Sequence, residues 1–522
     1  MNNMIIYNAR IYTVDSQFSI VDSVLIKDGR FIETGKSDIL LSKYQDEPKL
    51  DLKGKYVFPG LNDAHCHFLR YGLNLRNADL TNTSSFGEII EILKDFHKKN
   101  PSEWILGEGW DQNQWETKDW PDIKDLDKAF PNTPVLLIRI DTHAALANSE
   151  ALKRAKVNKN RKIIGGNIIS KNDNPPGILI DNAIPLVKNA IPEPTHEHIK
   201  NALLNAQDRC FAVGLTSVTD AGLDMENIDQ MDSLHTTGSL RMKVNAMINP
   251  TTRNFRKYMD NGIYKTGRLN VSSVKLFTDG ALGSRGALLL EPYDDDPGNS
   301  GLLVNSEEYL KSICEKAYNK GYQACTHCIG DKANRIMLNI YGDILKAPND
   351  LRWRIEHAQI LHQEDLHKFG KYSVVPSVQT THATSDMFWA EERLGKKRMK
   401  RSYMYKDLLK QNGWIANGSD FPVESINPIH GFYSAVKRQN INLEPDFGFQ
   451  TENAITREEA LKAMTIWPAF ACFEEKEKGS IEPGKYADFI VSNMDLMEMT
   501  QADFSQFKIL KTYINGEEVY SL

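Results

Sequence analysis

Short apolar runs alternate with longer amphipathic stretches through most of this chain. The runs VFPGLNDAHCH, GLTSVTD, MKVNAMIN, SSVKLFTDG, GYQACTHCIGD, RWRIEHAQ, YSVVPSVQ and WIANGSD are bounded by polar, glycine or proline positions, the pattern of buried strands. They end near His67, Asp220, Asn249, Asp279, His327, His357, Gln379 and Asp420. The stretches EHIKNALLNAQDRCFAV, SEEYLKSICEKAYNKG and REEALKAMTIWPAFACF carry apolar positions at helical spacing. Strands alternating with helices predict βαβ units and a parallel sheet, and eight such units close an α/β (β/α)8 TIM barrel.

The two ends of the chain have a different texture. MIIYNARIYTVD, SVLIKDGRFIETG, GSIEPGKYADFIVSN and ILKTYINGEEVYSL read as short strands, with Asp28-Gly29 and Asn515-Gly516 as hairpin turns. The expected organisation is a composite β-sandwich domain from residues 1–56 and 474–522, around a barrel over residues 57–473. One gap is too long for a single crossover: about residues 71–195. It holds the strand-like runs PVLLIRID, KIIGGNIIS and GILID and a cluster of Trp104, Trp110, Trp115 and Trp120. It reads as an insertion after the first barrel strand that roofs the site.

Composition removes several classes of function. At 522 residues the chain is long enough for a barrel and a smaller unit. Its 63 Lys and Arg against 69 Asp and Glu give a net charge of −6 with no basic run, so nucleic acid is not an expected partner. No cationic start precedes an apolar stretch, and no run approaches about 20 apolar residues, so neither a signal peptide nor a membrane span is expected. The six cysteines are sparse and mostly lie in apolar runs, which fits reduced thiols and a cytoplasmic protein. Cys325 and Cys328 have CxxC spacing, but no second pair exists and they flank a histidine with a better role.

That histidine belongs to a set: His65, His67, Lys275, His327, His357 and Asp420 lie at the ends of predicted strands. In a strand, residues i and i+2 share a face, so His65 and His67 can aim at one divalent ion while Cys66 points away. His327 and His357 can supply neutral imidazole nitrogens. Each taken alone reads better as a buried structural histidine; together with His65 and His67, at the catalytic face of a barrel, they read as metal ligands. Asp420 can ligate and act as general base, or cap a helix. Lys275 sits inside an apolar run, where an ammonium must snorkel, pair with a carboxylate or be modified; as a carbamate it becomes an anionic bridge.

These residues, with GWDQNQW, PNTPVLLIRIDTHAALANSEAL, VKLFTDGALGSRGALLLEPY, THATSDMFWAEERLG, GSDFPVESINP and KGSIEPGKYADFIV, run essentially end to end. On them the chain resembles the amidohydrolase family 3 branch of the amidohydrolase superfamily, the YtcJ-like group that includes N-substituted formamide deformylase. The resemblance implies that His65 and His67 bind a first metal and His327 and His357 a second. It further implies that Lys275, as N6-carboxylysine, bridges them and that Asp420 completes the first site. It also makes His143 and His382 substrate-pocket residues, with solvent-facing loop histidines as the alternative. Trp110 and Asp111 are candidates for the roof, Trp110 also fitting a core role. Asp279 is a candidate to orient a ligand from behind, or a plain turn residue.

The expected activity is hydrolysis of a non-peptide, amide-type carbon–nitrogen bond in a small molecule. A metal-activated hydroxide would be the nucleophile and Asp420 the general base, then acid. The expected cofactor is one or two divalent ions per chain, zinc foremost. Two other readings stand beside it. A mononuclear aminohydrolase (deaminase) usually lacks the bridging lysine and has a catalytic Glu that THCIGD does not offer. A catalytically inactive scaffold would have lost ligands, and none is lost. The substrate is not specified, and assembly is open, a homodimer being one option.

Overall fold

A computed structural model describes residues 3–157, 163–169 and 177–522. Its centre is a parallel sheet of eight strands: β1 (Leu61–Cys66), β2 (Leu215–Leu223), β3 (Lys243–Ile248), β4 (Leu269–Phe277), β5 (Gln323–Cys328), β6 (Arg354–His357), β7 (Val375–Val378) and β8 (Ala416–Asn417). Neighbours in sequence are neighbours in the sheet. The ring closes where the Asp420 amide donates to the His65 carbonyl at 2.7 Å. The Ser419 amide and the Asp63 carboxylate meet at the same seam, 3.1 Å apart. β4 is buried along nearly its whole length, because a barrel strand faces packed side chains inside and helices outside.

The helices form where their end signals stand. In the helix Glu307–Lys320, Ser306 accepts from the Tyr309 amide, Glu307 and Glu308 occupy the first turn, and Gly321 ends it at φ 68°. Leu310, Ile313, Cys314 and Ala317 make the buried stripe between those ends.

Strands from both termini share one eight-stranded sheet, in which Lys49–Pro59 pairs parallel to Met4–Tyr12 and antiparallel to Phe489–Ser492. Because Lys49–Pro59 runs unbroken into the turn before β1, the expected boundary at residue 56 falls inside a strand. Asp28 and Gly29 (φ 51° and 76°), like Asn515 and Gly516 (φ 51° and 72°), form two-residue hairpin turns with both central φ angles positive. Alternate side chains divide between two cores. Phe58, Ile490 and Ile514 pack onto the barrel, while Val57, Phe489 and Val491 fill a core within the terminal sheet.

The long segment after β1 builds its own layer. Six strands lie in the order Gly166–Ile169, Ile178–Asp181, Ala144–Ala147, Val135–Arg139, Ile105–Trp110, Ala78–Asp79. Their core includes Leu93, Trp104, Trp110, Leu137 and Leu179. Among the described residues no helix is long and apolar enough to cross a membrane.

Candidate metal centre

The strand ends at the C-terminal mouth of the barrel bring the six expected ligands together. His67 Nε2 lies 3.3 Å from Asp420 Oδ1, and His65 Nε2 lies 3.6 Å from the same oxygen. Lys275 Nζ is 3.3 Å from His65 Nε2. The His357 ring is centred 5.0 Å from His65 and 4.6 Å from His327. Donor atoms of His65, His357 and Asp420 all fall within 4.8 Å of one another, a set sized for one ion. Cys66, between the paired histidines, points away from them into the layer where the barrel meets its outer helices, near Cys210, as strand alternation requires.

Local backbone geometry aims these side chains. His67, Asp279, Gln379 and Asp420 lie one to three residues beyond their hydrogen-bonded strands, while β2 continues past Asp220 to Leu223. His357 and Asp420 adopt φ of 73° and 59°, a left-handed backbone uncommon for non-glycine residues. Strict alternation would send His357 to the face opposite Glu356. The positive φ turns it back, so that both residues contact His65.

Each imidazole has one nitrogen engaged from behind. His65 Nδ1 meets Glu356 Oε2 at 2.5 Å, His67 Nδ1 the Ala221 carbonyl at 3.1 Å, His357 Nδ1 the Gln379 Oε1 at 2.7 Å, and His327 Nε2 the Gly280 carbonyl at 3.3 Å. One ring nitrogen of each is left for an ion, and its orientation is held by the bond behind it.

Electrostatics favour the ligating forms. Burial, then Lys275, lowers His65 to about 4, and burial holds His327 and His357 well below the usual imidazole range. Burial alone would raise the Asp420 carboxyl, but the adjacent His67 and the other surrounding imidazoles hold it well below its usual range. Asp420 Oδ1 is a buried oxygen with no hydrogen-bond partner. Lys275, 1% exposed, has no carboxylate within ion-pair reach among the described residues. Burial lowers its ammonium, outweighing the more distant Glu356 and Asp420. Neutral imidazoles, an orphaned carboxylate oxygen and an unpaired buried amine fit a divalent-metal site.

Three supporting residues are not apparent from the motifs. Asp63 accepts from the His65 amide at 3.0 Å and from Ser419 Oγ at 2.6 Å, locking the β1 and β8 ends in register. Asp220 accepts from the Phe68 and Leu69 amides, fixing the turn after His67. Glu356 is gripped by Arg354, whose Nε lies 2.7 Å from Oε1, with both residues fully buried. The only local signal was spacing: Asp63 lies two residues before His65, and Glu356 lies beside His357.

The centre opens into a cavity of about 1320 Å3, lined by all six residues and by His143, His382 and Asp111. The His382 ring stacks on His357 at 5.9 Å, and the His143 ring lies 4.9 Å from His327. Burial lowers His143, but Asp181, bonded to its Nδ1, raises it overall. Asp111 is tied to Arg139. Trp110 is a correction. It is 1% exposed in the insertion core, its Nε1 donates to the Leu137 carbonyl, and Trp115 lines the cavity in its place. Alternation alone would place Trp110 with the cavity-lining Glu108; an irregularity at Gly109 (φ 107°), where the pairing with Val135–Arg139 slips by one residue, turns the indole into the core. Asp279 accepts from the Leu288, Ile329 and Gly330 amides and lies 3.6 Å from His327 Nε2, so it staples the loop behind that imidazole. All six cysteines are buried and unpaired.

Comparison with known proteins agrees with this geometry. A family model described as "Amidohydrolase family" matches residues 50–520. A protein of Bacillus subtilis (strain 168) named YtcJ is 32% identical, over 98% of both chains. N-substituted formamide deformylase of Arthrobacter pascens is 25% identical, over 99% of this chain and 98% of its own. A crystal structure of an uncharacterized metal-dependent hydrolase from Pyrococcus horikoshii OT3 superposes with a TM-score of 0.78 at 29% identity, covering 96% of this chain and 99% of that one. The chain therefore belongs to the Amidohydrolase family, and with it to the metal-dependent hydrolases of carbon–nitrogen bonds.

Proposed function

We propose that this protein hydrolyses a non-peptide amide bond of a small molecule, with His65, His67 and Asp420 holding one divalent ion and His327 and His357 a second. Lys275, its neutral amine adding carbon dioxide with loss of a proton to form a carbamate, would supply an anionic ligand to both ions. When bound, the ions lower the pKa of water toward about 7 and polarise the scissile carbonyl. Asp420 takes the proton of the attacking water on a carboxylate oxygen and returns it to the departing nitrogen. Glu356 holds the His65 ring in place, and the insertion limits water at the reacting carbonyl. The observation that carries the reading is Lys275 Nζ at 3.3 Å from His65 Nε2, beside an orphaned Asp420 oxygen. The resemblance to a formamide deformylase supports an amide as the bond class.

The compact trio His65, His357 and Asp420 favours a second reading, a mononuclear aminohydrolase. Chelator-stripped protein reloaded with zinc or manganese separates the two. Two ions per chain, with amine release from N-formyl or N-acyl amines that Asp420→Asn lowers at least about 100-fold, support the proposal. One ion with ammonia release from aminopurines supports the alternative. A loaded protein that turns over none of these overturns both.

A further inference from the structure

One helical turn outward from the metal centre, the cavity wall becomes acidic. The helix Thr380–Asp386 follows β7 and carries His382 against His357. Asp386 is four residues further on, so it lies about 6 Å along the same helix face. Glu424 approaches from the loop after Asp420, where its Oε1 accepts from Ser385 Oγ at 2.6 Å. Asp386 Oδ2 accepts from Tyr403 Oη at 2.8 Å and Gln359 Nε2 at 3.0 Å. Both carboxylates line the cavity.

Among the described residues, neither has a lysine or arginine within ion-pair reach. The cations of the same wall are committed elsewhere: Arg139 to Asp111 and Asp141, Arg70 to Glu108, and Lys118 to Glu392. Arg139 acts on Asp386 only from longer range. Thr381 Oγ1 and His382 Nε2, on cavity-lining residues 7% and 9% exposed, have no hydrogen-bond partner. Buried polar atoms left this way cost free energy until something supplies the bond. Burial raises both carboxyls, Asp386 to about 7 and Glu424 to about 8, the response of acids without a compensating positive charge.

We propose that Asp386 and Glu424, with Thr381 and His382, form a subsite for a cationic group of the substrate, a primary ammonium or an amidinium, held about one helical turn from the scissile bond. An ammonium donates to both carboxylates, and the hydroxyl and the imidazole nitrogen complete its surroundings. An anionic tail finds no uncommitted cation there. The cavity, about 1320 Å3, has room for a molecule that reaches both the metal centre and this wall. The subsite rests on the proposed function only for the location of the reacting bond.

Binding to the zinc-loaded full chain is measured by calorimetry for three amides of similar length: N-acetyl-1,4-diaminobutane, N-butylacetamide and N-acetyl-4-aminobutanoate. The cationic amide is expected to bind at least about tenfold more tightly than the neutral one, and the anionic amide most weakly. The Asp386→Asn/Glu424→Gln double variant is expected to lose that preference. Equal affinities, tighter anionic binding, no binding of the cationic amide at millimolar concentration, or a preference that survives the double substitution would overturn the subsite. The wild-type ranking decides even if the variant does not fold. Released acetate is followed in the same samples. Cationic preference without hydrolysis upholds the subsite and counts against the proposed reaction; hydrolysis without preference does the reverse.

Discussion

Glu356 Oε2 lies 2.5 Å from His65 Nδ1, a contact between fully buried residues 291 positions apart. Despite burial, which would raise it, the carboxylate is held at about 2 by Arg354 on one side and the His65 imidazole on the other. It therefore remains an anion that fixes the His65 tautomer.

Glu356→Gln is expected to weaken metal binding by roughly 10- to 100-fold. It also leaves the Arg354 charge buried with only the Ala64 carbonyl and Ser377 hydroxyl as strong partners. The metal-free protein should lose about 3–5 kcal/mol of stability. Metal titration and denaturant unfolding measure the two effects separately. Unchanged metal affinity would make Glu356 purely structural.

Gly418 sits where β8 meets β1, and a Cβ there would collide with the His65 amide nitrogen and crowd Asp63 Oδ1 at 2.7 Å. Gly418→Ala should push the His65 and Asp420 ends apart, costing about 1–3 kcal/mol of stability and at least about tenfold in metal affinity. A variant with wild-type affinity would show that the seam is not needed to place the ligands.

Lys275→Ala is expected to abolish turnover, with partial recovery when formate, acetate or propionate is added to stand in for the carbamate. Recovery should follow acid concentration and fall with acid size, because the vacated space is enclosed. Full turnover without added acid would remove the bridge from the mechanism.

Lys243 Nζ lies 2.5 Å from Asp488 Oδ2, joining the barrel to the terminal sheet. Burial lowers Lys243 to about 8, outweighing the opposing pull of Asp488. The unfolded chain keeps this proton up to about 10.5, so it binds more protons than the folded chain between about 8 and 10.5. Stability from this group should rise through that window by roughly 3 kcal/mol. Melting temperatures of wild type and Lys243→Met, measured across the window, should show a difference shifting in favour of wild type. A difference that stays flat would mean the buried ammonium titrates normally.

The barrel was legible because buried parallel strands are continuous apolar runs and their helices carry caps, as Ser306 and Gly321 show. The hairpins at Asp28-Gly29 and Asn515-Gly516 were legible because few other residue pairs accept two positive φ angles. Trp110 was misplaced because an aromatic beside a polar motif does not reveal which face of its strand is covered; the insertion core decided that.

The residues themselves determined the candidate ligand chemistry and its place at strand ends: imidazoles at His65, His67, His327 and His357, a carboxylate at Asp420 and an amine at Lys275. Periodicity is a local property, so it reaches along one strand and no further. Closure of β8 on β1 decided that Asp63 clamps Ser419, that Glu356 backs His65, and that Asp386 and Glu424 share one wall. Those pairings depend on which strands become neighbours and how the left-handed turns at His357 and Asp420 redirect side chains. Both are settled by packing among residues distant in the chain.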